Sequence, residues 1–207
     1  YGIQIAFKDH NPANGVFAGQ WVGFKHFTRF LTSFKIRTLI YNTVTLQLYS
    51  LLVGFPIPII LALFLHELKG KFYKSFIQSV SYIPHFISTV VVAGMILSFL
   101  SPQSGIINKL TGVFGAKPMR FILVPEYFKH IFAWSGIWQN MGWNSIIFLA
   151  ALSGVDPTLY ESATIDGAGR FRRIIHINIP CIMPTIITIF ILTIGKLMSL
   201  GHEKILL

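Results

Sequence analysis

The sequence predicts an all-α fold, a polytopic bundle of transmembrane helices. Apolar residues make up 53% of the chain and charged residues only 12%, whereas roughly a quarter of the residues in a soluble domain are charged. The apolar residues form continuous runs without the period-two alternation of barrel strands. Because only helices and closed barrels satisfy their backbone hydrogen bonds in lipid, such runs indicate spanning helices.

Four runs reach the length of about 20 mostly apolar residues that a spanning helix requires. They are Ile40 to Leu65, Phe76 to Leu100, His130 to Ser153 and Pro184 to Leu200. Tyr1 to Phe7 is interpreted as the end of one more span. We expect all of them to belong to a single transmembrane domain covering the whole chain.

Helix-breaking residues interrupt two of these runs. Gly54, Pro56 and Pro58 lie in the first run and Pro84 in the second, and each proline removes a backbone donor and crowds the preceding turn. Kinked helices are therefore expected. For Pro56 and Pro58 a hinge or cavity wall and an ordinary packing kink stand as equal alternatives, whereas Pro84 favours the ordinary kink.

The segment before the first complete run combines aromatic and basic residues. Apolar residues recur near helical spacing among lysine, arginine and histidine, which is the pattern of a helix lying in the membrane surface. These apolar residues are Trp21, Phe24, Phe27, Phe30, Leu31 and Phe34.

Several function classes are disfavoured by the composition. The formal charge of +10 comes from basic residues scattered between apolar runs, which argues against nucleic acid as a partner. Cys181 is the only cysteine, no residues have metal-site spacing, and no serine has a matching histidine and acid. A G-x-x-x-x-G-K-[ST] phosphate loop is lacking. We therefore expect no enzyme, no metal site and no cofactor.

A polar stretch, YESATIDGAGRFRRIIHINIPCIMPTI, separates the last two runs. Asp156 followed by Pro157 is a strong helix start, because the carboxylate caps free amides and the proline ring suits the first helical position. Pro157 to Asp166 is predicted to be a short helix that Gly167 ends. The sequence thus predicts a rigid element between two spans, and a rigid element can transmit force.

A second short helix is expected after this glycine corner. Phe171, Ile174 and Ile175 would share one face, and the arginines at 170, 172 and 173 would reach water or lipid phosphates. Pro180 and Pro184 would then mark the entry into the last run.

This polar stretch also carries a spaced motif: Glu-Ser-Ala, three residues, Gly, nine residues, then Ile-x-Ile-Pro. Its members are Glu161, Ser162, Ala163, Gly167, Ile177, Ile179 and Pro180. The motif resembles the EAA loop of permease subunits of binding-protein-dependent ABC importers, with both spacings intact. Ser162 replaces an alanine and Ile179 a leucine, which are small or isosteric changes.

Other stretches are similar to the oligosaccharide and polysaccharide branch of these permeases. They are YGIQIAFKDHNP, WVGFKHF, NTVTLQLYSLLVGFPIPIILALFLHEL, VSYIPHFISTVVVAGMI and GWNSIIFLAALSGVDPTLYESA. The resemblance covers almost the whole chain and implies the type I ABC importer permease fold. A complete subunit of that fold has six spans, so part of the first span and all of the last are expected to lie outside this sequence.

The resemblance implies a role for residues 154–183 as a cytoplasmic coupling loop that sits in a groove of an ATPase. It also assigns this loop to the cytoplasm, which the lysine and arginine counts of the loops leave undecided. Glu161 would offer a carboxylate to basic groups, and Gly167 would allow the tight turn. The residues expected at this contact are Glu161, Ser162, Ala163, Asp166, Gly167, Ile177 and Pro180.

Polar residues inside two of the runs are candidates for a substrate pathway. Polar groups in a span are costly unless they pair or face a wet cavity, and amides with flat rings suit the hydroxyls and C–H faces of a sugar. These candidates are Tyr82, His85, Gln139, Asn140, Trp143 and Asn144. Equally, such residues could bond neighbouring helices, at about 0.6 kcal/mol each on average.

The expected function is that of a permease subunit importing a complex carbohydrate by alternating access. Its expected partners are a homologous permease, two cytoplasmic ATPases that bind the ATP, an extracytoplasmic binding protein and membrane lipid. The expected location is the cytoplasmic membrane of a prokaryote. Alternatives are the same architecture with another cargo, such as an amino acid, phosphate or a metal, and an ATPase-independent carrier or channel.

The loops that the resemblance assigns to the outside are rich in lysine and arginine. They carry nine basic residues against Asp9 and Glu126. Such a surface would dock an acidic binding protein or attract an anionic saccharide; contact with lipid headgroups is the alternative.

Overall fold

The computed structural model of the chain describes residues 2–9 and 19–195, and these residues are predominantly helical. Within them the only β pairing is an isolated antiparallel bridge between Lys8 and Trp21. The predicted all-α class is therefore confirmed. Lys196 to Leu200, the end of the last predicted run, lie outside the described residues, as does Tyr1.

The chain divides into two compact units, Tyr1–Thr45 and Leu46–Leu207. The first unit contains a 3₁₀ helix (Gly2–Phe7), the short helix α1 (Lys25–Leu31) and the beginning of α2 (Lys35–Gly54). The ring of Phe7 lies 5.5 Å from that of Phe24 and 5.2 Å from that of Phe27. Of the predicted surface helix, α1 includes only Phe27, Phe30 and Leu31, and its place at a membrane surface stays a prediction.

The described residues of the second unit contain the rest of α2 and eight further α-helices. They are α3 (Pro56–Glu67), α4 (Lys71–Tyr82), α5 (Thr89–Phe99), α6 (Ile106–Val113), α7 (Pro125–Ser153), α8 (Pro157–Ile165), α9 (Arg170–Arg173) and α10 (Ile179–Gly195). Two short 3₁₀ helices, Ile83–Phe86 and Phe121–Leu123, follow α4 and precede α7. A π-helical turn, Ile174–Asn178, joins α9 to α10.

The core of the second unit lies where α3, α7 and α10 pack together. Leu65, Phe148, Leu152 and Ile182 are at most 2% exposed, and Ala62 is fully buried. Since lipid tails are as apolar as leucine, tight packing rather than hydrophobic burial holds such helices together. This core fixes the helices that carry the site described below.

Two of the described helices are long and apolar enough to cross a membrane, Lys35–Glu67 and Arg170–Gly195. A third appears if the pair Lys71–Phe86 and Thr89–Phe99, bent by 98°, counts as one span. Helix α7, with 29 residues, is also long enough, but its tryptophans and amides lower its hydropathy. The four-span count therefore remains a prediction.

The two proline sites behave differently from each other. At Phe55, between Gly54 and Pro56, the backbone keeps helical angles (φ −70°, ψ −42°), so α2 continues into α3. After Pro84 the chain becomes extended at Ile87, and Ser88 caps a new helix by accepting a hydrogen bond from the Val91 N–H. The ordinary kink expected at Pro84 is thus a complete helix break.

Candidate functional site

Helix α8 begins at the cap that the sequence predicts. The Asp156 carboxylate accepts a hydrogen bond from the Thr158 N–H at 2.9 Å, and Pro157 occupies the first turn. The backbone and side chain of Thr158 stabilise the ionised carboxylate, and the pKa of Asp156 is therefore lowered from its ordinary value. The predicted helix start is confirmed.

The end of α8 is fixed by a glycine in the left-handed region. Gly167 has φ +71°, its N–H bonds to the Thr164 carbonyl at 3.1 Å, and the Ala168 N–H bonds to the Ala163 carbonyl at 2.8 Å. These two bonds form a Schellman motif. A Cβ at Gly167 would meet open space, so the glycine is required by the backbone angle alone.

The segment after this corner differs from the predicted separate helix. Helix α9 passes through the π turn directly into α10, which gives one helix from Arg170 to Gly195. Phe171 is 81% exposed and Ile175 is 56% exposed, while Ile174 is partly buried against the core. The prolines at 180 and 184 lie within this helix and do not start it.

The predicted coupling residues fall into two groups along the chain. Ala163 is partly buried and Ile177 lies partly buried in the π turn, whereas the others are exposed. The first group lies on α8 and its corner, and the second on the helix that follows. The exposed members are Glu161, Ser162, Asp166, Gly167 and Pro180. Their contact with an ATPase stays a prediction.

The surface of α8 combines acidic groups that are unpaired among the described residues with an exposed apolar side chain. Within residues 2–9 and 19–195, neither Glu161 nor Asp166 forms a salt bridge, and Ile165 is 87% exposed. The Ser162 hydroxyl donates back to the Thr158 carbonyl at 2.9 Å. Ser162 therefore presents little polarity outward, which explains how it can replace an alanine in the motif.

Tyr160 ties α8 to the neighbouring helices. Its hydroxyl donates to Asn178 Oδ1 at 2.7 Å and lies 3.2 Å from His66 Nε2. Burial raises the pKa of Tyr160 above its ordinary value, with Cys181 and Glu67 adding to the shift, so the hydroxyl keeps its proton. This group was not predicted from the sequence, although Asn178 is an amide between two isoleucines.

A cavity of about 770 Å³ lies among α2, α3, α5, α7 and α10, within the range of small-molecule sites. Trp143 and Phe132 contribute aromatic rings to its wall. Its polar lining consists of amides and hydroxyls. These residues are Gln47, Ser50, Thr89, Gln139, Asn140, Asn144 and Thr193.

Four of the six predicted pathway residues line this cavity: Gln139, Asn140, Trp143 and Asn144. His85 does not line it, but its ring stacks on Trp143 with centroids 4.6 Å apart and planes 5° apart. The sixth candidate, the Tyr82 hydroxyl, lies beside Ser145 and Gln78 instead. All six remain candidates for a pathway.

Two of the lining amides already have partners inside the protein. Gln139, only 8% exposed, donates to the Ile87 carbonyl at 2.8 Å. This bond gives a partner to a backbone carbonyl at the helix break after α4. Asn140 donates to the Gly136 carbonyl, which turns its oxygen toward His85 Nδ1 at 3.1 Å. Asn144 is exposed, and its side chain has no hydrogen bond to a described residue.

Two polar residues that line the cavity from α2, Gln47 and Ser50, were not predicted from the sequence. The Ser50 Oγ is buried and has no partner among the described atoms, and a buried hydroxyl left unpaired is costly. The usable signal was the polar pair itself, since polar residues within a span are default pathway candidates.

Residues 54–200 match the family model described as "Binding-protein-dependent transport system inner membrane component". The chain is 42% identical, over its whole length, to the polygalacturonan/rhamnogalacturonan transport system permease protein YteP of Bacillus subtilis (strain 168), of which it covers 64%. It is also similar to a chain of a bacterial ABC transporter involved in the import of the acidic polysaccharide alginate. For that chain the TM-score is 0.88 and the identity 41%, with 98% of this chain and 67% of that one covered.

A second solved structure of a bacterial alginate ABC transporter, in complex with an alginate pentasaccharide-bound periplasmic protein, gives a TM-score of 0.86 at 40% identity. It covers 98% of this chain and 66% of the other. The chain thus spans about two thirds of the length of these relatives. The matched model, the sequence identity and the shared fold together show that the chain belongs to the family of inner membrane components of binding-protein-dependent transport systems.

Proposed function

We propose that this chain is the permease subunit of an ABC importer for a complex carbohydrate in the cytoplasmic membrane of a prokaryote. The observation that carries the proposal is the stiff element formed by α8 and the Gly167 corner between two long helices. A helix capped at both ends moves as one body, so a force applied to its exposed face reaches the adjoining spans.

The energy would come from partner subunits. Two cytoplasmic ATPases would bind and hydrolyse ATP, one of them gripping α8 through Glu161, Asp166 and the exposed Ile165. A homologous permease would complete the translocation pathway, and an extracytoplasmic binding protein would deliver the cargo. Movement of the ATPases would switch the helices between inward-facing and outward-facing arrangements.

The cavity supports a role in saccharide passage. Sugars present hydroxyls at their rims and C–H groups on their faces, which match unpartnered polar groups and flat rings respectively. Ser50 and Asn144 are two of the polar lining residues whose side chains lack hydrogen bonds to described residues, and Trp143 supplies an aromatic face. We assign the first contacts with cargo to these three residues.

An acidic saccharide fits the charge of the chain best. Alginate is named as an acidic polysaccharide for one relative, and the loop before α7 exposes Lys109, Lys117 and Arg120. Asn108, 5% exposed, holds this loop by bonding the carbonyls of Leu100, Ser101 and Met119. The 29 residues of α7 separate this basic loop from α8 by about 44 Å.

The test is transport by the full-length protein, reconstituted in liposomes with its partner permease, ATPases and binding protein. We expect ATP-dependent uptake of an oligogalacturonate and weaker uptake of a neutral oligosaccharide of equal length. Glu161→Arg should abolish the uptake and the copurification of the ATPases. Uptake that persists without any ATPase, driven by an ion gradient, would contradict the proposal.

The charge preference has its own test. Changing Lys117 and Arg120 to Gln should lower uptake of the acidic oligosaccharide at low ionic strength and flatten its dependence on salt, because exposed charges are screened beyond about 10 Å at 0.1 M salt. Uptake of the neutral oligosaccharide is the control. An unchanged salt response would show that these residues serve another partner, such as lipid headgroups.

A further inference from the structure

Five polar residues from three segments meet beside α8 and form what we call the tyrosine network. His66 and Glu67 end α3, Tyr160 lies on α8, and Arg173 and Asn178 belong to α9 and the π turn. None of these five was predicted to be functional, and Arg173, which was expected to reach water or lipid phosphates, pairs with Glu67 instead.

The hydrogen bonds of the tyrosine network run in a defined direction. The single hydroxyl proton of Tyr160 goes to Asn178 Oδ1 at 2.7 Å, so the Tyr160 oxygen accepts from the His66 Nε2–H at 3.2 Å. Asn178 Nδ2 in turn donates to Glu67 Oε1 at 3.4 Å. The chain of donors therefore starts and ends on α3 and passes through α8.

An ion pair closes the network on its other side. The Arg173 guanidinium lies 3.6 Å from Glu67 Oε2, and these side chains are only 23% and 16% exposed. Asn178 is completely buried. Buried polar groups gain strength from a low local dielectric but are costly when a partner is lost, so the members of this network depend on one another.

Helix α8 has few other attachments. No residue of α8 is buried, and the hydroxyls of Ser162 and Thr164 bond only to carbonyls of α8 itself. Among the described residues, Tyr160 is the side chain through which α8 forms hydrogen bonds to other elements. Its two bonds are thus the polar link between α8 and the rest of the protein.

The π turn is what aims Asn178 at this link. A π turn adds one residue to a helical turn, which rotates the residues after it by about 100° relative to a regular helix. Asn178 is the last residue of the turn. Without the extra residue, the helix from Arg170 to Gly195 would point a different side chain at Tyr160.

We propose that Tyr160 and Asn178 are positioning residues that lock α8 to the end of α3, so that movement of α8 is passed to the span Lys35–Glu67. The inference rests on the proposed function, because it assumes that an ATPase moves α8. It goes further in naming the path of that movement: from α8 through two hydrogen bonds into the helices on both sides.

The test is the ratio of cargo imported to ATP hydrolysed by the reconstituted full-length complex. Tyr160→Phe keeps the ring and removes the hydroxyl with both of its hydrogen bonds. We expect ATPase binding and hydrolysis to persist, while import per ATP falls by at least about fivefold, the effect of losing one net hydrogen bond. Asn178→Leu should behave alike, and the double variant should lose no more than the worse single variant. Thr164→Val, on the same helix, should leave the ratio unchanged.

A second measurement reports the position of α8 relative to the end of α3, which a loss of overall stability alone would not change. Spin labels at Leu159→Cys, on the exposed part of α8, and at Lys69→Cys, in a Cys181→Ser background, should show a broader distance distribution in Tyr160→Phe than in Thr164→Val. An unchanged ratio and distribution in Tyr160→Phe would overturn the inference. Loss of ATPase binding would overturn it too, since the hydroxyl would then shape the docking surface.

These outcomes are distinct from failure of the proposed function. If the unsubstituted complex neither binds ATPases nor imports a saccharide, the proposed function is wrong. If it does both and Tyr160→Phe matches it, only the positioning role is wrong.

Discussion

The α8 corner and the break after α4 are both polar interruptions of an apolar chain. They differ in how far apart in the sequence their hydrogen-bonded residues lie. The bonds that cap α8 join residues at most five positions apart, such as Asp156 with Thr158 and Ala163 with Ala168. Around the break, Gln139 bonds Ile87 and His85 bonds Asn140 across 52 and 55 positions. A local motif can therefore be read from sequence, whereas the roles of the distant amides depend on packing.

This contrast matters because α7, which packs beside the break, carries two kinds of polar residue that look the same in the sequence. Gln139 and Asn140 have partners inside the protein, while Asn144 lies exposed on the cavity wall. The packing of α4 against α7 decides which of these residues finds a partner inside the protein. That packing depends on the close approach of Gly142 to Ser81.

The strongest test of the break is therefore Gly142→Ala. A Cβ at Gly142 would overlap the backbone carbonyl of Ser81, so α4 and α7 must move apart. We expect the free energy of unfolding to fall by about 3 kcal/mol, the upper end of over-packing effects. The fall in the thermal midpoint of the purified protein measures this loss.

Gly94→Ala on α5 is the matched control. A Cβ at Gly94 would meet nothing within 4 Å, and alanine favours a helix over glycine by about 1 kcal/mol. Its thermal midpoint should not fall. If the two variants had equal midpoints, α4 and α7 would not be in close contact.

The two amides of α7 can be separated by a second pair of variants. Gln139→Leu leaves the partly buried Ile87 carbonyl unpaired, which should cost about 1 kcal/mol of stability, the lower end of the penalty for a buried group, without changing the affinity for cargo. Asn144→Leu should leave stability unchanged and weaken saccharide import about two- to tenfold, the loss of one net hydrogen bond. The reverse result would assign the pathway to Gln139. Thermal midpoints and uptake titrations measure the two effects.

The regions also differ in how far the sequence predicted them. Asp156, Pro157 and Gly167 act through bonds to near neighbours, so the helix bounds and the corner were predicted closely. The prediction of a separate second helix was wrong, because one continuous helix includes the π turn and the prolines at 180 and 184. The π turn, the tyrosine network and the Gly142 contact depend on partners far along the chain, which spacing alone does not reveal.

The corner itself is tested by Gly167→Ala against Gly169→Ala. Both Cβ atoms would meet open space, but only Gly167 has a positive φ, at +71°. The left-handed conformation costs a residue with a Cβ about 1–2 kcal/mol, so Gly167→Ala should loosen the corner and reduce ATPase copurification. Gly169 has φ −68°, which alanine adopts without strain, so Gly169→Ala should bind the ATPases normally. Equal binding would show that coupling does not need this geometry.

The smallest expected effect lies at the start of α8, where Asp156→Ala removes the cap and Asp156→Asn keeps one. Because the folded state lowers the pKa of Asp156, its contribution is present above the ordinary pKa and disappears as the pH falls through the lowered one. Hydrogen exchange at the Thr158 amide should therefore be faster in Asp156→Ala at neutral pH. The difference in Thr158 exchange rate between the wild type and Asp156→Asn should disappear in acid. Exchange around Ile87 should stay unchanged in both variants, because the cap acts only within its own helix turn, and a change there would mean that the two regions are coupled.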